Sequence, residues 1–139
     1  MSLSADIKAI LQADATLVAI VTGGIHDAVE IRQDLTPGAF DATTKEIKPC
    51  LLVRTGNEVS RVNKVYAVNT PLTLYFYQRS GFGSIDSALA RVHTLLAGKH
   101  VAGSRVWEIR FNTEIARTTD EALYCSLAVQ RYDVIRKKQ

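Results

Sequence analysis

Leu72-Thr73-Leu74-Tyr75-Phe76-Tyr77, then Ser80-Gly81-Phe82-Gly83, then the run from Ser84 to Gly98 form the most regular stretch of this 139-residue sequence. Leu72, Leu74 and Phe76 recur at the period of a strand, which leaves Thr73, Tyr75 and Tyr77 on the opposite face. From Ser84 the period changes. Ile85, Leu89, Val92 and Leu96, with Ala88 and Leu95 alongside, make the stripe of an amphipathic helix. The glycines between the two patterns predict a tight turn, Ser84 is the expected N-cap, and Gly98 stops the helix.

Working outward, Trp107, Ile109 and Phe111 alternate with Glu108, Arg110 and Asn112. Leu123, Cys125, Leu127 and Val129 alternate with Tyr124, Ser126, Ala128 and Gln130. The polar turn Thr118–Glu121 joins these runs, so they are expected to pair as an antiparallel hairpin. Before Leu72, the apolar run Cys50–Thr55 between Pro49 and Gly56 predicts a buried strand, and Asn57–Lys64 a polar turn. Pro71 lacks a ladder donor and marks an edge, a bulge or a break. Ile25 to Ile31 is read as a short strand. At the N-terminus, Ile7, Ile10 and Leu11 have helical spacing. Asp14 is placed to cap a further turn set with Leu17, Val18, Ile20 and Val21, closed by Gly23-Gly24. This is one kinked helix or two short ones.

The order helix, strands, helix, hairpin predicts a single α+β domain over residues 1–139. An antiparallel or mixed sheet would carry two amphipathic helices packed on one face. The other face would then present Thr73, Tyr75, Tyr77, Arg110 and Tyr124, residue types enriched at subunit contacts. Residues 32–49 have no clean period and contain Pro37-Gly38, which predicts a long mobile loop that orders against a neighbour, with Pro37, Gly38 and Phe40 as contact candidates. The tail from Arg136 to Gln139 is expected to fray.

Totals exclude several classes. Hydrophobic residues make up 47% and charged ones 22%, the composition of a globular domain and not of a disordered chain. A net charge of +3 is a mixed surface; Arg54, Arg61 and Lys64 are the candidate basic patch for a nucleic-acid module. Cys50 and Cys125 sit in apolar runs without metal or disulfide spacing, and are expected to be buried free thiols. No basic-then-apolar leader opens the chain and no run nears the roughly 18–20 apolar residues that span a bilayer, so no membrane partner is expected and folding in a reducing cytoplasm is.

Catalytic chemistry has little to stand on. His26, His93 and His100 lack partners at metal-ligand spacing. Gly81-x-Gly83 lacks both the third glycine of a dinucleotide loop, Asp86 standing there, and the lysine of a phosphate loop; an Asp in that first turn would repel phosphate. No nucleophile elbow is present. The sequence therefore predicts no enzyme, no catalytic residues, no cofactor and no metal, and leaves a small monomeric protein-binding domain or a nucleic-acid-binding module as alternatives to an assembly subunit.

One resemblance runs through nearly the whole chain, from about residue 5 to 135. Ile7-Lys8-Ala9-Ile10-Leu11-Gln12-Ala13-Asp14 with Leu17, then Val21-Thr22-Gly23-Gly24-Ile25-His26-Asp27, is similar to the opening helix and glycine-ended exit of the tail-terminator and tail-completion proteins of long-tailed bacteriophages and prophages, also called minor tail or head–tail joining proteins. Lys48-Pro49-Cys50-Leu51-Leu52-Val53 resembles their proline-led second strand. Leu72 to Tyr77, the helix through Leu95-Leu96-Ala97-Gly98 and the closing strand pair resemble their central strand, helix and hairpin. The long Arg32–Pro49 segment and Cys50, where an aromatic is more typical, depart from that pattern and leave the branch open. The resemblance implies an α+β virion subunit, assembled in the host cytoplasm, that forms a ring, commonly a hexamer, at the head-proximal end of the tail. Its implied partners are further copies of itself, the tail-tube protein and a neck or head-completion protein, with DNA only as a transiting genome.

Overall fold

The computed structural model describes residues 3–56, 59–60, 67–99 and 106–137. Arg61, Lys64, His100 and most of the expected Asn57–Lys64 turn lie outside them. The chain builds a six-stranded mixed sheet in the order β1-β2-β4-β6-β5, with β3 pairing β4 off that path. The elements are α1 (Leu3–Gln12), α2 (Ala15–Ile20), β1 (Ile25–His26), β2 (Cys50–Thr55), β3 (Val59–Ser60), β4 (Ala67–Gln78), α3 (Gly83–Leu96), β5 (Val106–Asp120) and β6 (Cys125–Lys137). Among the described residues only β1 and β2 run parallel; every other pair is antiparallel. The expected α+β class therefore holds, with a mixed sheet.

Among the described residues three helices cover one face, the N-terminal segment dividing at Asp14 into two short ones. That residue is extended (φ −91°, ψ 108°) and its carboxylate accepts from Leu17 N, so it ends one helix and caps the next. The core beneath is built as the β4 alternation and the α3 stripe predict, but β6 is reversed: Ala128, Gln130, Tyr132 and Val134 face the helices, while Leu123, Cys125 and Leu127 pack on the other face. Leu72, Leu74 and Phe76 of β4 meet Ile85, Ala88, Leu89, Val92 and Leu96 of α3, with Ile7, Leu11 and Leu17 from the first two helices. Leu51 and Val53 of β2, Ile109 of β5, and Ala128, Tyr132 and Val134 of β6 complete it. Burying each such aliphatic side chain contributes roughly 1.5–3 kcal/mol.

Glycine matters at two places. Gly98 follows the C-cap of α3 with φ 75°, the left-handed conformation that ends a helix cheaply. Gly23 approaches β2 so closely that a Cβ there would lie 2.9 Å from Cys50 Cβ and 3.0 Å from Pro49 O, and its N–H donates to that carbonyl at 2.7 Å.

Several expectations need correction. The strand expected over Ile25–Ile31 stops at His26, and the chain then leaves the sheet. Ser84 does not cap α3: the helix begins at Gly83, and Gln78 Oε1 accepts from Ser84 N (3.0 Å) and Ile85 N (3.1 Å). Pro71 lies inside β4, which is an interior strand, yet it breaks one ladder only. Its carbonyl accepts from Gly56 N at 2.8 Å, and its missing N–H faces the same side, beyond the last β2 pair, Thr55↔Leu72. The polar turn sits at residues 121–124, with Thr118–Asp120 still in β5. Arg136 and Lys137 belong to β6 and do not start a frayed tail.

Residues 32–49, which have no period of their own, pack in part against the sheet, with Thr36, Ala39, Phe40 and Ile47 buried. Ile31, Ala39, Phe40 and Ile47 form a second cluster with Cys50, Leu52, Tyr77 and Cys125 on the face of the sheet away from the helices. The segment is held by a 3-10 turn at Pro37–Ala39, a Phe40↔Ile47 bridge, and Asp41, whose carboxylate accepts from Thr43 N (2.8 Å) and Thr44 N (2.9 Å). Arg79 anchors it from outside through Glu46 at 2.9 Å. Part of the second sheet face is thus covered by the chain's own loop.

Candidate subunit interface

The register fixes what the uncovered part presents. One row crosses four strands: Arg54 pairs with Thr73, Thr73 with Arg131, and Arg131 with Thr113. The next row holds Pro71, Asp133 and Arg110. Neighbouring strands lie about 4.8 Å apart, so the Cα atoms of Arg54 and Arg131 are separated by about 10 Å. Arg110 Nε donates to Glu108 Oε1 at 2.8 Å, and Asp133 accepts from Asn69 (3.3 Å) and Asn112 (3.2 Å). Among the described residues, Arg54 and Arg131 hold no carboxylate.

The residues expected at a contact separate into groups. Thr73, Tyr75 and Tyr77 share the second face as their alternation requires. Tyr75 and Thr73 are half-buried, but Tyr77 is only 6% exposed and Phe40 8%, because both belong to the covered cluster. Phe40 is therefore core. Pro37 and Gly38 stay exposed on the outside of the 3-10 turn, and Arg110 is exposed on β5. Tyr124 is 89% exposed, but it is at φ 51° in the β5–β6 turn and not on the sheet. Sequence reading missed Arg131, Phe111, Ile115 and Asp120, whose placement depends on register and on three bulges in β5.

At the turn end of the same face is a cleft of 320 Å³ lined by Glu30, Ile31, Arg32, Tyr77, Asp120, Ala122 and Leu123. Arg32 is already engaged, by Asp34 (2.9 and 2.6 Å) and Glu30 (3.0 Å), which holds the Asp34 carboxyl below the usual range. Asp120 has one hydrogen bond among the described residues, from Leu123 N at 2.9 Å. Burial first, then the Asp120 charge, push the Tyr77 hydroxyl up. The same two causes push the Cys125 thiol up to about 11. Burial and the neighbouring Cys125 raise Cys50 to about 12.

On the helix side, β5 is the sheet's outer strand. Its outer edge is paired at Ile109, which exchanges hydrogen bonds with Gly98 (2.8 Å) and Lys99 (3.0 Å). Farther along, residues 110–117 are all exposed, Phe111 and Ile115 included. Phe111 borders a groove of 490 Å³ against α3, lined by Asp86, Leu89, Ala90, His93, Glu114, Ala116 and Gln130 as well. The floor is polar but satisfied: Gln130 Nε2 donates to Glu114 Oε1 (2.9 Å) and Leu89 O (3.3 Å), and Tyr132 OH donates to Gln130 Oε1 (2.8 Å). His93 meets Phe111 edge-on at 5.2 Å. His26 Nε2 donates to Gly23 O at 2.7 Å. Asp86, in the first turn of α3, accepts from Arg117 at 2.8 Å. Among the described residues no three His, Cys, Asp or Glu side chains gather as a metal cluster.

No family model matches the sequence, and no curated protein does. A solved structure does resemble it. The chain is similar to one in the virion of a native gene transfer agent (GTA) particle, with a TM-score of 0.70 and 18% identity. The likeness covers 99% of this chain and 96% of the other, so it extends to the order of elements and not to a shared motif alone. At that identity it is a likeness of fold.

Proposed function

We propose that this chain is a structural subunit of a virion, a ring-forming tail-terminator or tail-completion protein. It would cap the head-proximal end of the tail tube and join it to the neck. The observation that carries this reading is the full-length likeness of its fold to a chain of a gene transfer agent virion. The family resemblance read from the residues points the same way. In this reading the chain performs no catalysis and holds no cofactor. Its work is to present surfaces: the Arg54–Arg131 row, the acidic cleft, and the exposed outer strand β5. A ring requires a heterologous contact, two different patches of one subunit meeting in a rotation that closes. A stable contact of this kind buries on the order of 1,200–2,000 Å² in total.

Sedimentation velocity and electron microscopy of the purified protein, alone and with tail-tube protein, test the reading. Closed rings, commonly hexamers, are expected alone or on tube ends. A protein that stays monomeric at high concentration and ignores the tube would overturn it.

A further inference from the structure

We infer that the cleft between residues 30–32 and the β5–β6 turn receives an arginine side chain from a second copy of this chain, presented by the Arg54–Arg131 row. The inference rests on the ring reading above and supplies its contact.

The cleft is built to accept a guanidinium. Its 320 Å³ is at the small end of the usual range of ligand pockets, suited to one side chain. Ile31, Ala122 and Leu123 offer apolar surface for an aliphatic stem, and Asp120 and Glu30 offer carboxylates to a charged head. Asp120 is the less engaged carboxylate, because Glu30 already accepts from Arg32 while Asp120, among the described residues, accepts from a backbone N–H alone. Glu121 adds an exposed carboxylate beside it. The second observation is independent of the charges. Tyr77 is 94% buried and lines the cleft, and its hydroxyl makes no hydrogen bond among the described residues. That hydroxyl is not fully enclosed, and its oxygen can accept from an incoming N–H donor in place of water.

The donor is identified by the same reasoning. Arg32, Arg79, Arg91, Arg110 and Arg117 each hold a carboxylate of their own chain. Arg54 and Arg131 hold none among the described residues, and both are exposed. Both sit in the row of Thr73, whereas the cleft lies by Tyr77, four residues or about 13 Å farther along β4, beyond the reach of one arginine side chain. The two patches therefore cannot meet within one copy, whereas the patch of one copy can meet that of the next. Such a contact is heterologous and repeats, as a ring demands. Asp133 and Glu108, interleaved with these arginines, make the face a poorer fit to a continuous phosphate backbone.

A charge-swap experiment tests this. One variant carries Arg54→Glu and Arg131→Glu; the other carries Asp120→Asn and Glu121→Lys, which keeps the acceptor for Leu123 N. Each alone is expected to associate at least about tenfold more weakly than wild type in sedimentation velocity. An equimolar mixture restores assembly, because each copy then offers the charge its neighbour lacks. That rescue also demonstrates that both variants fold. Tyr77→Phe, which removes the hydroxyl alone, is expected to weaken association severalfold without lowering Tm. If wild type assembles and both charge variants assemble equally well, or the mixture is not restored, the cleft is not the contact while the ring stands. A wild type that never assembles sinks both readings. If Arg54→Glu/Arg131→Glu assembles normally but loses a salt-sensitive affinity for a short DNA duplex, the row belongs to nucleic acid and the inference fails.

Discussion

Arg91 of α3 grips Asp14, the N-cap of α2, through two hydrogen bonds: Nη2 to Oδ1 at 2.6 Å and Nε to Oδ2 at 2.8 Å. The same Oδ2 accepts from Leu17 N at 2.9 Å. One carboxylate thus starts a helix and fixes it to another 77 residues away. The Arg91 hydrogen bond is the main reason its pKa falls from 3.8 to about 2, against the opposing effect of burial. The folded pKa lies below the unfolded one, so the stabilisation is fully present above about pH 4 and is lost as pH falls toward 2. Asp14→Ala is expected to lower Tm at pH 7 by roughly 3–6 °C, from loss of cap and pair together. Thermal melts of both proteins should converge near pH 2. A difference that persists there would mean the side chain acts through packing and not through charge.

Gln130 is 1% exposed and fully satisfied by Leu89 O, Glu114 and Tyr132. It joins α3, β5 and β6 where an apolar residue would pack but not bond. Gln130→Leu leaves the buried Tyr132 hydroxyl without its acceptor, a cost of about 1–3 kcal/mol. The double variant Gln130→Leu/Tyr132→Phe removes both groups and should recover most of that loss. Urea unfolding of Gln130→Leu, Tyr132→Phe and the double variant checks the cycle, and equal losses in Gln130→Leu and the double variant would contradict it.

Local periodicity made much of the fold legible. Cys50–Thr55 is bounded as expected, the α3 stripe is buried residue for residue, and Asp14 is readable as a cap because its acceptor and the Leu17 donor are three residues apart. What escaped depends on long-range geometry. The apolar residues of the covering loop, Ala39, Phe40 and Ile47, follow no helical or strand period, since each is positioned by a turn. Gln78 caps α3 from the strand before it, a spacing that no capping pattern contains. The cleft joins Glu30 to Asp120, and the arginine row joins residue 54 to residue 131. Neither pairing exists in the sequence until the strand register is known.

The second face carries arginines, yet the isolated protein is expected to bind duplex DNA negligibly at physiological salt. Arg54 and Arg131 could neutralise about two phosphates, which gives a log–log salt slope near −2. Glu108 and Asp133 stand among them. Fluorescence anisotropy with a short duplex at ~0.15 M salt checks this. A submicromolar affinity with a steep slope would favour the nucleic-acid reading over the assembly one.

The covering loop can be probed through the thiols beneath it. Cys50 and Cys125 are buried and free, and with Cys50 raised to about 12 its thiolate fraction at pH 8 is on the order of one in ten thousand. Modification by a disulfide reagent must therefore wait for an opening, and its rate measures which opening suffices. If lifting residues 31–47 alone exposes Cys50, labelling will run much faster than global unfolding and depend weakly on denaturant. Phe40→Ala should cost about 3 kcal/mol, since it empties the centre of that cluster. It should speed Cys50 labelling by a large factor while global unfolding still needs the helix-side core. Deleting Thr36–Thr43 removes Ala39 and Phe40 together and should make Cys50 as reactive as a model thiol corrected only for its pKa. Labelling that tracks global unfolding in wild type and in Phe40→Ala alike would mean the loop and the sheet open as one unit.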